Sequence, residues 1–305
     1  MAPEAPTVGV AAAPTAPPVA VAPEPAAAAP GGEAPLRLPA PLRPMTIGDL
    51  LDGGFNVLRA RPRIVLGLAA VFVIPVQLVV AYINRDAIED LRSSLDALSA
   101  GVTTSGGPDP WWLPYLGIAL QSLAQSLVAG AIALLVVAWY SDEQPDGREV
   151  LRRLGPRLPS LFLAWLVVHV CEGSAVLGGG IGAVVLMALF IVVVPIVVVE
   201  GAGPFKAVGR STTLTGRRFW PVLGFGVLCA LVTSLLGTVL SAIPQLGGYL
   251  LGDDVGWVVV GIGGIINQMV ATTIVGAATA LLYLDLRIRR EGMDVAWATA
   301  RAFPA

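Results

Sequence analysis

Residues 161–199 decide the fold, and they read "LFLAWLVVHVCEGSAVLGGGIGAVVLMALFIVVVPIVVV". Glu172 is the only charged residue in this stretch of 39. A helix rises about 1.5 Å per residue, and the hydrocarbon core of a bilayer is about 30 Å thick, so one crossing needs about 20 residues. The stretch is therefore too long for one crossing and long enough for two. The segment "GGGIG" at 178–182 is the predicted turn, because glycine adopts the backbone angles that a tight turn requires.

The composition extends this interpretation to the whole chain. Hydrophobic residues make up 55% of the 305 positions and charged residues 13%, and the mean hydropathy is +0.78. An ordinary soluble domain is about 25% charged, so this inventory cannot cover a soluble surface. We predict an all-α polytopic membrane protein with six transmembrane helices, at about 64–83, 116–138, 161–177, 182–199, 220–243 and 261–284.

The positions of the basic residues predict the orientation. Of the 19 lysines and arginines, 17 fall in segments that share one side if the N-terminus is cytoplasmic, and only Arg85 and Arg92 fall on the other. Cytoplasmic loops carry such an excess of basic residues. We therefore expect a multi-pass membrane protein with both termini in the cytoplasm. Each hairpin follows a basic segment, which is explained either by a true threefold repeat or by this charge rule acting three times.

The two ends of the chain differ from its middle. Residues 1–44 contain twelve prolines and fourteen alanines, and this density of proline prevents helix and sheet. We predict a disordered cytoplasmic tail over 1–44, a membrane domain over 45–295 and a short C-terminal tail over 296–305.

Amphipathic segments border the predicted spans. Thr46 and Asp49 have the spacing of a capping box at the start of a helix whose apolar face would hold Ile47, Leu50, Leu51, Phe55 and Leu58. The segment "PFKAVGRSTTLTGRRFW" at 204–220 predicts a second helix lying on the membrane surface, with Phe205, Val208, Leu214 and Trp220 as its apolar residues. The bilayer and its anionic inner-leaflet lipids are the expected partners. The candidate phosphate anchors are Arg59, Arg61, Arg152, Arg153, Lys206, Arg210, Arg217, Arg218, Arg287, Arg289 and Arg290.

Polar side chains inside the spans form a candidate intramembrane site of His169, Glu172, Gln125 and Asn267. Glu172 lies about 16 Å from Leu161, near the middle of the bilayer, and His169 is on the same helical face. Ionisable residues at that depth mark functional sites by default, as in a proton relay or an ion-coupled transporter. The structural alternative is a neutral Glu172 that makes an interhelical or backbone hydrogen bond, beside a neutral His169. Amides inside spans, which also include Gln77 and Gln121, join helices by hydrogen bonds unless they line one cavity.

The sequence contains no motif for a catalytic, cofactor or metal site. A histidine and a carboxylate without further ligands make half a metal site. Cys171 and Cys229 lie in apolar runs and read as buried free thiols. Nucleic acid is not needed to explain the basic segments, because lipid headgroups are a sufficient partner.

Three segments resemble a known family. The stretches "RPMTIGDLLDGGFNVLRARP" at 43–62, "VVVEGAGPFKAVGRSTTLTGRRFWPVLG" at 197–224 and "ALLYLDLRIRREGMD" at 280–294 are similar to segments of actinobacterial proteins with the glycerophosphoryl diester phosphodiesterase membrane domain. The resemblance implies a six-span protein and covers only the membrane part. The phosphodiesterase itself needs two histidines, and this chain has one.

Three functions are therefore open at this point. The leading hypothesis is a non-enzymatic membrane protein that organises lipid or partner proteins at the inner leaflet, alone or as a homo-oligomer. The second is a transporter or channel for a small or lipid-like solute, and the third is an enzyme that acts on a lipid headgroup. A polar cavity joining Glu172 to Gln125 or Asn267 would favour transport, and a solid apolar core would favour the first hypothesis.

Overall fold

The computed structural model describes residues 44–85, 112–177 and 179–292, and every regular element in them is a helix. Nearly all of the predicted N-terminal tail, the loop that carries Arg92 and the chain after residue 292 lie outside these residues. A turn of 3-10 helix, Gly155–Arg157, joins the fourth helix to the fifth. The helices are α1 (Ile47–Ala60), α2 (Pro62–Ile83), α3 (Leu113–Tyr140), α4 (Gly147–Leu154), α5 (Leu158–Leu177), α6 (Ile181–Phe190), α7 (Val193–Glu200), α8 (Pro204–Gly216), α9 (Phe219–Leu251) and α10 (Asp253–Glu291).

Six helical segments of the described chain are long and apolar enough to cross a membrane, as predicted. They are α2, α3, the α4–α5 unit to Val176, the α6–α7 unit, α9 and α10 from Val255. Helix α9 shows why these helices need lipid: Leu231, Leu235, Val239, Ile243 and Leu250 are each more than half exposed along it. Soluble monomers rarely expose an apolar face of this size to water. The architecture is that of a multi-pass helical membrane protein.

The third and fourth spans form the predicted hairpin, but the fourth is interrupted. The turn falls at Gly179 and Gly180, whose φ angles of +106° and +82° favour glycine and confirm the predicted position. The span predicted at about 182–199 is present as Ile181–Glu200, although its helix stops at Phe190 and resumes at Val193. Pro195 explains the break: it has no N–H, and its ring clashes with the carbonyl four residues earlier, at Ile191.

The fifth and sixth spans are longer than predicted. The expected loop between 243 and 261 is instead helical on both sides of Gly252, whose φ of +83° makes the only turn. Pro244 lies inside α9 without ending it. A Cβ on Gly263 would lie 2.5 Å from Cγ of Pro244, so α10 accommodates the proline ring with a glycine. The sequence prediction failed here because it treated proline and glycine as loop residues.

Helix α10 is the centre of the bundle and packs against α9, α3, α1 and α2. Ala277, Leu281 and Leu284 in its C-terminal half are fully buried, as is Leu135 of the neighbouring α3. Helix α1 lies against α10, and a Cβ on Gly54 would lie 2.8 Å from the carbonyl oxygen of Ile274.

The capping box of α1 is present as predicted. The amide of Asp49 donates to Thr46 Oγ1 at 3.2 Å, and the amide of Thr46 donates to the Asp49 carboxylate at 2.8 Å. The side that α1 turns toward the protein is not the whole predicted apolar face: Leu50 is buried together with Gly53, Gly54 and Val57, while the other residues of that face are half-exposed. The glycines shift the buried stripe because they permit closer contact with α10 than leucine would.

Candidate functional site

The predicted intramembrane polar site does not assemble around His169 and Glu172. The His169 side chain is exposed, its ring lies 4.8 Å from that of Trp165, and its Nδ1 is 2.9 Å from the Trp165 carbonyl oxygen. Glu172 is half-buried, and its carboxyl has no hydrogen-bond partner among the described residues. The interhelical or backbone hydrogen bond that we predicted for a neutral Glu172 is therefore not found among the described residues.

Gln125 and Asn267 are also separate from that pair. Gln125 is exposed on α3. Asn267 lies on α10 against Gly237 of α9, and its Oδ1 is buried without a hydrogen-bond partner in the described structure. Helix α5, which carries His169, packs closely on α3, α6, α7 and α8 but not on α10. No described cavity has Glu172 in its lining together with Gln125 or Asn267.

Two other amides do meet, where α2, α3 and α10 come together at the end of the bundle opposite Asp285 and Arg289. Gln121 Nε2 donates to Gln77 Oε1 at 3.1 Å, and Gln77 Nε2 donates to the Gly264 carbonyl at 3.1 Å. This amide chain links three helices and borders a cavity of about 210 Å³. The cavity is lined by Gln77, Val80, Ala81, Asn84, Gln121, Trp257, Val260, Gly261 and Gly264.

The amide cavity is polar on one wall and carries no charge. Its walls approach closely because α10 presents glycine there: a Cβ on Gly261 would lie 2.9 Å from Cβ of Ala81. Asn84 Nδ2 is occupied by the Val80 carbonyl, at 2.8 Å. The arrangement can hold a small neutral molecule or water by hydrogen bonds, but its lining offers no ionisable group to move a proton.

The opposite end of the bundle is ionic, and its first feature is a clamp between α1 and α10. The Asp285 carboxylate, 5% exposed, accepts from the backbone amide of Met45 at 2.7 Å and from Arg289 Nε at 2.8 Å. Arg289 Nη2 in turn donates to the Met45 carbonyl at 2.8 Å. One ion pair therefore binds both backbone groups of the residue that precedes α1.

A second ionic network joins the ends of α7, α8 and α10. The buried Tyr283 hydroxyl donates to Glu200 and accepts from Arg287 Nη1, each at 3.0 Å. Arg210 pairs with Glu291 and lies 3.4 Å from a Glu200 oxygen. Partial burial acts to lower the pKa of Arg210, but the hydrogen bond to Glu291 and the charge of Glu200 outweigh it, so the pKa is raised. Arg210 thus remains a cation bound within the protein.

The structure sorts the eleven candidate phosphate anchors into two groups. Seven have a side-chain partner inside the protein, and four have none in the described structure. The first group is Arg61 with Gln144, Arg152 with Glu149, Arg153 with Glu143 and Glu149, Arg210 and Arg287 with Glu291, Arg289 with Asp285, and Arg290 with the Thr213 carbonyl. The second group, called the free cations below, is Arg59, Lys206, Arg217 and Arg218.

Helix α8 lies between two candidate spans, and it buries two hydroxyl groups that the sequence analysis did not single out. Ser211 and Thr215 are buried, and their hydroxyls donate to the Leu189 carbonyl at 2.6 and 3.3 Å. That carbonyl lost its helical partner where α6 stops, so α8 satisfies the break in the fourth span. Leu214 is buried as an apolar contact, whereas Phe205 and Trp220 are 72% and 77% exposed.

Sequence reasoning missed Asp285, Tyr283 and the pairing of Gln77 with Gln121. A signal existed for Asp285, because it is the only acidic residue in "ATALLYLDLRIRR" and Arg289 follows it by one helical turn. The amide pair had no such signal, since Gln121 and Gln125 lie one turn apart and the sequence does not say which of them faces α2.

These features define the chain as a helical membrane protein with one ionic end and one amide-lined end. Comparison with known protein families, with curated proteins and with solved structures finds no match.

Proposed function

We propose that this chain is a non-enzymatic integral protein of a bacterial plasma membrane that organises anionic lipid, and proteins recruited there, at the inner leaflet. Both termini would lie in the cytoplasm, as the charge distribution predicts. The resemblance to the glycerophosphoryl diester phosphodiesterase membrane-domain family is in keeping with this role, since it covers only a membrane part.

The observation that carries the proposal is the sorting of the cations. The ion pairs of Arg210, Arg287 and Arg289 build the ionic end, but Lys206, Arg217 and Arg218 are exposed and have no partner among the described residues. Exposed aromatic rings accompany them, because Phe205 precedes Lys206 and Trp220 follows Arg218. Aromatic rings and basic side chains are the groups that the headgroup region of a bilayer favours.

A reconstitution experiment tests the proposal. The full chain is placed in bilayers of phosphatidylcholine with spin-labelled phosphatidylglycerol, and the lipid held at the protein surface is measured by electron spin resonance. The double variant Arg217→Gln/Arg218→Gln should lose selectivity for phosphatidylglycerol. Each removed cation accounts for up to about 1 kcal/mol of attraction at low salt, and added salt should narrow the difference.

The matched control removes the same charge from the other end. Arg85→Gln/Arg92→Gln neutralises the two basic residues that the sequence assigns to an outer loop and should leave the selectivity of the wild type. Equal selectivity in all three proteins would refute a role for the free cations.

Transport is the second candidate, and the amide cavity is the observation in its favour. A hydrogen-bonding site of about 210 Å³ between three spans could hold a small neutral solute. The residues that suggested transport in the sequence, Glu172 and His169, are nevertheless not part of that cavity's lining. Solute uptake into vesicles that requires Gln77 and Gln121 would establish transport in place of lipid organisation.

A further inference from the structure

A second cavity lies at the ionic end, between α3, the α4–α5 connection and α7. Its volume is about 370 Å³, within the range of small-ligand sites. The wall toward the bundle is apolar, with Leu134 and Val137 on one face of α3 and Val198 at the end of α7. Ser141 and Glu143 follow α3 at the other wall, where the chain becomes polar.

One side chain of this cavity has no partner in the part of the chain that the structure describes. Arg157, at the end of the 3-10 turn, has a fully buried Nη1 with no hydrogen bond, and its guanidinium makes no ion pair within the described residues. Buried polar groups are almost always hydrogen-bonded, and a buried cation without a counter-charge is costly. The Nη1 donor of Arg157 is therefore available to a ligand that is not part of the chain.

The neighbouring carboxylates cannot serve as that group, because both are committed to Arg153. Glu143 lies 2.7 Å from Arg153 Nη1, and Glu149 lies 2.9 Å from Arg153 Nε and also pairs with Arg152. The two guanidiniums and one carboxylate of the lining leave a net charge of +1. A single anionic group with at least one free acceptor oxygen complements the site.

The shape of the cavity selects among anions. A small inorganic anion makes no favourable contact with the apolar wall of Leu134, Val137 and Val198. This wall continues directly into two candidate spans. A phospholipid has both parts in the required order, with a phosphodiester of charge −1 at the polar mouth and acyl chains along the helices. Arginine suits a phosphate because its N–H groups form charge-assisted hydrogen bonds with two oxygens at once.

We infer that this cavity is a specific binding site for the headgroup of one anionic phospholipid, with Arg157 as the residue that holds its phosphate. The inference deepens the proposed function, which concerns lipid attracted to the exposed free cations. The cavity adds one defined position where a single lipid stays bound. The two can fail separately, because Arg157 is not one of the free cations.

The experiment measures thermal unfolding of the full chain in a mild detergent with three additives: dioctanoyl phosphatidylglycerol, dioctanoyl phosphatidylcholine and inorganic phosphate. Phosphatidylglycerol should raise the unfolding temperature of the wild type more than either other additive. In Arg157→Gln this increase should vanish, with an apparent affinity lower by roughly tenfold or more. Without lipid the variant should unfold at or above the wild-type temperature, because it no longer buries a guanidinium nitrogen without a hydrogen bond.

Arg148→Gln is the matched control, since it removes one arginine from the exposed side of α4 in the same connection and should keep the full phosphatidylglycerol shift. Val137→Trp tests the cavity without changing charge, and it should abolish the shift by filling the space. An equal shift with inorganic phosphate would overturn the assignment to lipid. An Arg157→Gln protein that is destabilised without lipid but keeps the shift would show a structural residue and overturn the site. The spin-label selectivity of Arg157→Gln should stay at the wild-type value.

Discussion

The two ends of this bundle are held together by different chemistry. At the ionic end, Asp285 with Arg289 and Glu200 with Tyr283 join helices through charges and short hydrogen bonds. At the amide end, Gln77 and Gln121 join three helices without any charge, and glycines bring the backbones close. Ion pairs border the cavity of about 370 Å³ at the ionic end, whereas uncharged side chains line the cavity of about 210 Å³ at the amide end.

The difference follows from the cost of burying charge. Charged groups are tolerated where water or headgroups solvate them in part, and the paired arginines are all partly exposed. Deeper in the bilayer an amide can hydrogen-bond without that cost, but each such bond contributes little. We therefore expect the stability of the ionic end to depend on ion pairs and that of the amide end to depend on packing.

The largest effect is expected from Asp285→Ala. The change leaves Arg289 without its counter-ion and the amide of Met45 without its acceptor, so the free energy of unfolding should fall by about 3 kcal/mol. Unfolding in increasing dodecyl sulfate, followed by circular dichroism, measures the loss. Asp52→Ala removes an exposed carboxylate from α1 and should cost almost nothing. If the two variants unfolded alike, the clamp between α1 and α10 would not stabilise the ionic end.

A smaller loss is expected at the amide end from Gly263→Ala. The new methyl group would meet the rigid ring of Pro244, so α9 and α10 must separate, at about 2 kcal/mol. Gly67→Ala is the control, because a Cβ at Gly67 meets nothing within 4 Å. That control should be neutral or slightly stabilising, since alanine favours helix. The same unfolding assay compares them, and a Gly263→Ala protein of wild-type stability would show that close packing is not what holds this end.

The smallest effect is expected from Gln77→Leu. It removes two interhelical hydrogen bonds from a site that leucine can fill, and such bonds contribute about 0.6 kcal/mol each on average. The expected loss is about 1 kcal/mol. Gln125→Leu is the control, since Gln125 is exposed on the same helix as Gln121 and should have no measurable effect. A loss for Gln125→Leu as large as that for Gln77→Leu would reverse the assignment of the amide site.

Much of this fold follows from the sequence alone. The apolar run at 161–199 predicted two spans and their turn at Gly179 and Gly180, because a helix satisfies its own backbone hydrogen bonds inside a bilayer. The capping box of Thr46 and Asp49 could also be predicted, because its two hydrogen bonds join residues only three positions apart. Hydropathy and local hydrogen bonds depend on neighbours in the chain, and the sequence states these directly.

The tertiary structure decided which polar residues meet. Gln121 faces Gln77 while Gln125, one turn away, is exposed, and this choice depends on the rotation of α3 about its axis. Asp285 reaches Met45 across 240 positions of the chain. Arg289 is paired with Asp285 while Arg217 has no partner among the described residues, although both were equal candidates in the sequence. Rotation and contact between distant helices are set by packing of whole surfaces, for which the order of residues along one helix carries no signal.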